Sequence, residues 1–191
     1  MTFTQDWIHN KDIIPHWEKY LIPLRNKSLQ MLEVGCFEGR STLWFMEHVL
    51  TDKMSKMVVV DTFEGDEQQY DMGIIVNDLE STFRENLKDY IHKIYVCRGK
   101  SQEILKNLKT KYDLIYIDGS HYQTDVMIDA VLAYQLLKKN GILIFDDYAM
   151  THKSKDNTYY CPKIALDAFL TVFGSHIEVL HKGWQLIIKK I

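Results

Sequence analysis

Cysteine is scarce in this chain: there are three, Cys36, Cys97 and Cys161, far apart and odd in number. That argues against a disulfide scaffold and a cysteine-based zinc site, and it points to a reducing compartment. No apolar run is long enough to cross a bilayer, and Met1–Lys11 is too polar for a secretory signal. Positive charge is not in excess either. The formal net charge is −3, so no overall electrostatic pull toward nucleic acid is expected, and the lysines at 153–155 and 189–190 read as solvated surface. Internal repeats and low-complexity tracts are missing. What is left is a soluble, cytoplasmic protein, with 191 residues and 46% hydrophobic content, enough for one domain with a real core.

The most informative stretch is Met31–Leu50, MLEVGCFEGRSTLWFMEHVL. Met31, Leu32 and Val34 read as a buried strand. Gly35 and Gly39 frame a five-residue loop, and from Arg40 onward Leu43, Met46 and Leu50 step by three or four, as on one helix face. Strand, glycine loop and helix N-terminus together favour a ligand with a negative group that approaches the backbone closely. Phe37 stands where the dinucleotide fingerprint has its second glycine, so a pyrophosphate is disfavoured. A ligand with a carboxylate and a ribose but no phosphate, such as S-adenosylmethionine, fits better. Glu33 would pair with its ammonium group and Ser41 would donate to its carboxylate. A plain tight turn is the competing reading.

Around this unit the chain alternates strand and helix. Thr2–Lys27 is polar, with Trp7, Ile14, Trp17, Tyr20 and Leu21 as an apolar face; residues 1–27 read as a helical cap on the domain edge, or as a flap that contacts substrate, and residues 28–191 as the main domain. The run KMVVVD at 56–61 is a strand buried on both faces, and it ends in Asp61, 22 residues beyond Gly39, near the spacing at which an acid takes a ribose hydroxyl. A turn role for Asp61 is the alternative. Thr62–Asp78 reads as a lid or binding loop. A helix over Leu79, Phe83 and Leu87 follows, then a strand Lys93–Cys97, then a helix with Ser101 as its N-cap or as an adenine contact. Strand Tyr112–Asp118 leads to Ser120 and Gln123 at capping-box spacing and to a helix closed by Asn140–Gly141. Strand Ile142–Phe145 leads into Asp146 and Asp147, and a long polar loop, Ala149–Cys161, into a helix starting at Pro162 with Ile164, Ala168 and Leu170 or their neighbours inward. Ile177–Leu180 and Trp184–Ile188 close the chain as an antiparallel pair. The expected fold is an α/β, Rossmann-like, doubly wound, mostly parallel sheet with helices on both faces.

In such a sheet ligands bind beyond the carboxyl ends of the strands, where Gly35, Asp61, Gly99, Asp118 and Asp146 all fall. Asp118, Asp146 and Asp147 would then crowd together, and a divalent cation such as Mg²⁺ would relieve their repulsion. Alternatively one caps a helix, one pairs with a base and one is solvated. His121 and His152 lie in the following loops. His152 is a candidate base and His121 a cofactor-site residue or a backbone partner. Tyr148 either lines the substrate pocket or is a core aromatic.

LEVGCFEGRS at 32–41, VVVDTFEG at 58–65, YIDGSHYQTDVMIDA at 116–130 and LLKKNGILIFDDY at 136–148, in this order, resemble the class I S-adenosylmethionine-dependent methyltransferases. The chain is most similar to the small O-methyltransferases around macrocin O-methyltransferase. The resemblance implies a seven-stranded sheet with an antiparallel C-terminal strand. It implies a cofactor site of Glu33, Gly35, Cys36, Phe37, Gly39, Ser41, Asp61, Thr62, Lys100, Ser101, Asp118, Gly119 and His121. It implies Asp118, Asp146 and Asp147 as Mg²⁺ ligands, and here it departs from catechol-type enzymes, which carry Asp-Asn where this chain has Asp146–Asp147. Macrocin-type enzymes often carry Asp-His after the IDG step, where this chain has Ser120–His121. The expectation is a methyltransferase acting on an oxygen of a small hydroxylated molecule such as a sugar or natural product, with Asp118, Asp146 and His152 catalytic. A non-catalytic S-adenosylmethionine-binding sensor or partner subunit is the alternative. The exposed aromatics of the N-terminal segment would suit a homodimer.

Overall fold

Alternation along each strand sends neighbouring side chains to opposite faces of a sheet, and two apolar layers result. Met31, Met57, Val59, Leu114 and Ile144 join one of them, while Leu32, Val34, Val60, Ile115 and Leu143 join the other. In the computed structural model, which describes residues 3–65, 73, 78–153 and 159–191, these strands form a single seven-stranded sheet. The elements are α1 (Ile14–Leu21), β1 (Gln30–Val34), α2 (Arg40–His48), β2 (Lys56–Asp61), α3 (Leu79–Asn86), β3 (Ile94–Arg98), α4 (Ser101–Ile104) and β4 (Tyr112–Ile117). They continue with α5 (Gln123–Leu136), β5 (Leu137–Phe145), β6 (His152–Lys153), β7 (Tyr159–Tyr160), α6 (Pro162–Phe173), β8 (Ile177–Lys182) and β9 (Leu186–Lys190).

The strand order is β3-β2-β1-β4-β5-β9-β8. The first five are mutually parallel, and β9 runs antiparallel to both β5 and β8. The expected doubly wound sheet is therefore present, with its antiparallel strand lying inside the edge strand β8. The order reverses between β1 and β4, the switch point beyond which an open α/β sheet forms its crevice. Helices α1, α2 and α3 contribute to one apolar layer, and α5 and α6 to the other. Trp17 of α1 is fully buried among Trp44, Phe45 and Tyr116, and its indole N–H donates to Gln185 Oε1 at 2.8 Å.

Several local expectations are corrected. The helix before β5 stops at Leu136, not at Asn140–Gly141. Leu137 already pairs with Tyr112, and Asn140, at φ 63°, sits where the register shifts before Ile142 meets Leu114. Gly141 belongs to that irregularity, since a Cβ there would lie 2.9 Å from Leu137 Cδ1 and from the Lys138 carbonyl. Pro162 does open α6, and Leu170 packs inward as expected beside Ala165, Leu166 and Phe169, but Ala168 is exposed and Ile164 is 60% exposed. Tyr148 is a core aromatic whose hydroxyl donates to Asp167. Most of the Thr62–Asp78 loop (residues 66–72 and 74–77) and residues 154–158 lie outside the described residues. No helix among the described residues is long and apolar enough to cross a membrane.

Candidate functional site

The glycine loop is shaped by what stands under it. Gly35 adopts φ +80°, and a Cβ there would fall 2.0 Å from the Asp118 carbonyl oxygen, so the β1–α2 turn touches the end of β4 at this one residue. Its N–H donates to the Val60 carbonyl at 2.9 Å. Asp61, at the end of β2, gathers the rest. One carboxylate oxygen accepts the amides of Cys36 (2.7 Å) and Phe37 (3.1 Å), and the other accepts the amide of Phe63 (2.7 Å). A carboxylate has about four acceptor sites, so one direction is still open to a ligand hydroxyl.

Glu33 is fully buried beneath the same loop. It takes the hydroxyls of Ser41 (2.6 Å) and Thr42 (2.5 Å), one on each oxygen. Burial pushes its pKa up to about 8; the two hydroxyls hold it down, and Asp118 and Asp61 add to the rise. The sequence pattern predicts Glu33 against an ammonium group and Ser41 against a carboxylate. In the structure the two are given to each other, and Thr42, which spacing did not single out, completes the set.

At the ends of β4 and β5 the arrangement is different. Asp118 and Asp146 share one phenol: the Tyr116 hydroxyl lies 3.0 Å from Asp118 Oδ2 and in hydrogen-bond contact with Asp146 Oδ2. Asp146 Oδ1 accepts the Asp147 amide at 2.7 Å. Both carboxyls hold their protons more tightly than usual, Asp118 up to about 6 and Asp146 well above the carboxylate range, first because of burial and then because of neighbouring negative charge. Tyr116 is raised for the same reasons. His121 answers that charge: Nε2 is 2.9 Å from Asp147 Oδ2 and 4.0 Å from Asp118 Oδ1. Burial opposes its proton, but the two carboxylates outweigh burial and raise it to about 10, so His121 is an imidazolium at neutral pH. One donor atom each from Asp118, His121 and Asp147 fall within 4.8 Å of one another. Of the three expected metal ligands, Asp118 and Asp147 come together around His121, while Asp146 turns both its oxygens to Tyr116 and the backbone.

These two regions face one cavity of about 770 Å³, within the size range of small-molecule sites. Gly35, Cys36, Phe37, Ser41, Asp61 and Thr62 line it from the β1 and β2 ends. Lys100 and Ser101 line it after β3, and Asp118, Gly119 and His121 after β4. Asp146, Asp147 and His152 complete that wall. Glu33 and Gly39 are not among the lining residues; Gly39 instead caps α2 at φ +87°. His152 stacks at 5.8 Å on Tyr160, and its Nε2 is buried with no hydrogen-bond partner among the described residues. Gln5, Trp7 and Asn10 of the N-terminal segment also line the cavity. That segment is tied to the glycine loop: the amide and hydroxyl of Thr4 donate to Glu38, Arg40 pairs with Asp6, and Trp7 rests 5.3 Å from Phe37. Only the scattered aromatics of this segment signalled it in the sequence. The capping roles expected of Ser101 and Ser120 are not seen. Ser101 donates to Asp129; Ser120 donates to Asp125 and accepts the amide of Tyr122, the residue at the N-cap, and not one within the helix.

Comparison with known proteins supplies the last observations. A family model described as "Methyltransferase domain" matches residues 32–148, more than half of the chain. The chain is 31% identical to the O-methyltransferase hkm8 of Aspergillus hancockii over 124 residues, 65% of this chain and 44% of that protein. It spans about half the length of the curated relatives it matches. Among solved structures it resembles the O-methyltransferase TomG of Streptomyces achromogenes, involved in tomaymycin synthesis and solved with SAM (TM-score 0.65, 13% identity, 93% of this chain and 79% of that one). It also resembles the MycE methyltransferase of the mycinamycin biosynthetic pathway, solved with Mg and SAH (TM-score 0.61, 14% identity, 93% of this chain and 48% of that one). At these identities the structural likeness is one of fold.

Proposed function

Because the chain belongs to the methyltransferase-domain family, we propose that it is an S-adenosylmethionine-dependent O-methyltransferase acting on a small hydroxylated molecule. The observation that carries this reading is the sharing of one cavity by the glycine loop with Asp61 and by the Asp118–His121–Asp147 cluster with His152. The first half suits the nucleoside and amino-acid ends of the cofactor, and the second suits an acceptor that must lose a proton. Residues 1–27 would act as a cap that walls the acceptor side, and residues 28–191 as the catalytic domain.

Methyl transfer is an in-line displacement. The acceptor oxygen forms a bond to the methyl carbon as the carbon–sulfur bond breaks, and the acceptor's proton passes to a base. We assign His152 as the base, because it lines the cavity and its Nε2 has no hydrogen-bond partner among the described residues. Asp118 and Asp147 accept from His121 and hold its proton, so in the absence of a cation its charge would orient and stabilise the forming alkoxide instead. A divalent cation fits the donor set of this corner, where Asp118, His121 and Asp147 each offer one ligand atom within 4.8 Å of the others, and it would take the place of the proton on His121. Asp118 and Asp147 would hold it. When bound, Mg²⁺ would lower the pKa of the acceptor hydroxyl.

The test is release of S-adenosylhomocysteine from S-adenosylmethionine with a panel of phenolic and sugar acceptors, with and without EDTA. Turnover with at least one acceptor, reduced about a hundredfold in His152→Ala, is expected for loss of a general base. Cofactor binding with no turnover on any acceptor would favour a non-catalytic S-adenosylmethionine-binding protein.

A further inference from the structure

The buried face of α5 carries one residue that packing alone does not explain. Val126, Ala130 and Ala133 step along it as core positions, and Asp129, 1% exposed, stands among them. A carboxylate in such a position costs stability unless it is fully partnered. Asp129 is not fully partnered. Oδ2 accepts the Ser101 hydroxyl at 2.9 Å, and Oδ1 has no hydrogen-bond partner among the described residues. Ser101 is the cavity-lining member of the pair. The Gly99 amide, donating to the Asp61 carbonyl at 2.9 Å, fixes the start of this turn beside the end of β2.

A serine hydroxyl has one proton to donate and two lone pairs to accept with. Here the proton is spent on Asp129, so Ser101 faces the cavity as an acceptor only. We propose that Asp129 is a positioning residue that fixes Ser101 as a hydrogen-bond acceptor, so that this end of the cavity selects a ring edge bearing a donor, the 6-amino group of adenine, over a 6-oxo ring. The inference rests on reading the cavity as a nucleoside site. A purine with a carbonyl at that position would set its oxygen against the serine lone pairs, and Ser101 has no second proton with which to adapt. Burial, reinforced by Asp125 and opposed by Ser101, raises Asp129 to about 7, so the acceptor state is tested above that pH.

The test is calorimetric titration of the full chain at pH 8.5 with S-adenosylhomocysteine and with S-inosylhomocysteine, which differ at the 6-position. The unmodified protein is expected to prefer the adenosyl ligand by about tenfold or more, the worth of one hydrogen bond and its mismatch. Ser101→Ala and Asp129→Leu are each expected to bring that ratio close to one. The double variant should go no further, since the two residues act as one unit. Asp129→Asn, which keeps an acceptor oxygen for Ser101, should restore most of the preference. An unchanged ratio in Ser101→Ala or in folded Asp129→Leu overturns the proposal while leaving the cofactor reading intact. Failure of the unmodified protein to bind either ligand overturns both.

Discussion

At the glycine-loop end of the cavity Asp61 holds three backbone amides and Glu33 holds two hydroxyls, whereas at the other end Asp118 and Asp146 share a single phenol, and Asp118 and Asp147 lean on one imidazolium. The first end is built from donors of fixed position, so it holds a shape. The second is short of donors, so its groups hold protons away from their ordinary ranges. The division suits the proposed methyl transfer, in which one part would keep the sulfonium carbon in place and the other would manage a proton. Four substitutions probe this contrast.

The largest effect is expected for Gly35→Ala. The added methyl would overlap the Asp118 backbone, at a φ that alanine tolerates poorly. We expect cofactor affinity to fall more than about a hundredfold and stability by about 3 kcal/mol or more, read by titration and thermal melts. Unchanged binding would mean that the loop is not the rigid end.

Glu33→Gln tests the one carboxyl of the fixed end that is strongly shifted. Its folded pKa, about 8, is above the ordinary 4.5, so its contribution is complete below about pH 4.5 and is lost as pH rises through 8. The unmodified protein should therefore lose stability relative to the variant between pH 5 and 9, by a few kcal/mol. Parallel melting curves across that range would contradict the assignment.

Tyr116→Phe removes the shared hydroxyl. The expected result is a roughly tenfold lower kcat with little change in cofactor affinity, because the phenol bonds Asp118 and Asp146 and not the loop. The smallest effect is expected for Thr4→Val, which releases one hydroxyl bond between the N-terminal segment and Glu38. Acceptor KM should rise by about threefold with cofactor affinity unchanged, in keeping with a single hydrogen bond. A change in cofactor affinity instead would assign that segment to the other half.

The sheet was legible because buried parallel strands read as continuous apolar runs. KMVVVD and the strand after Lys111 carry that signal, and their terminal acids mark the binding edge. Asp61, Asp118 and the glycine loop could thus be found by spacing alone. Tyr116 could not, since its link to Asp146 spans 30 residues and depends on β4 and β5 being neighbours. The same holds for Ser101, whose local sequence says helix cap but whose hydroxyl goes to a carboxylate 28 residues away. Neither serine caps its helix: Ser101 gives its proton to Asp129, 28 residues away, and Ser120, though it accepts the Tyr122 amide, gives its proton to Asp125 in the first turn. Asn140–Gly141 failed as a helix stop because a helix stop and a strand irregularity use the same residues and the same positive φ.

The most direct test of the account is a calorimetric titration of the purified protein with S-adenosylmethionine. Saturable binding of one equivalent is expected, weakened more than about a hundredfold in Gly35→Ala and retained in Tyr116→Phe. No heat from a folded protein at millimolar cofactor would contradict it, leaving a methyltransferase fold without a methyltransferase's cofactor site.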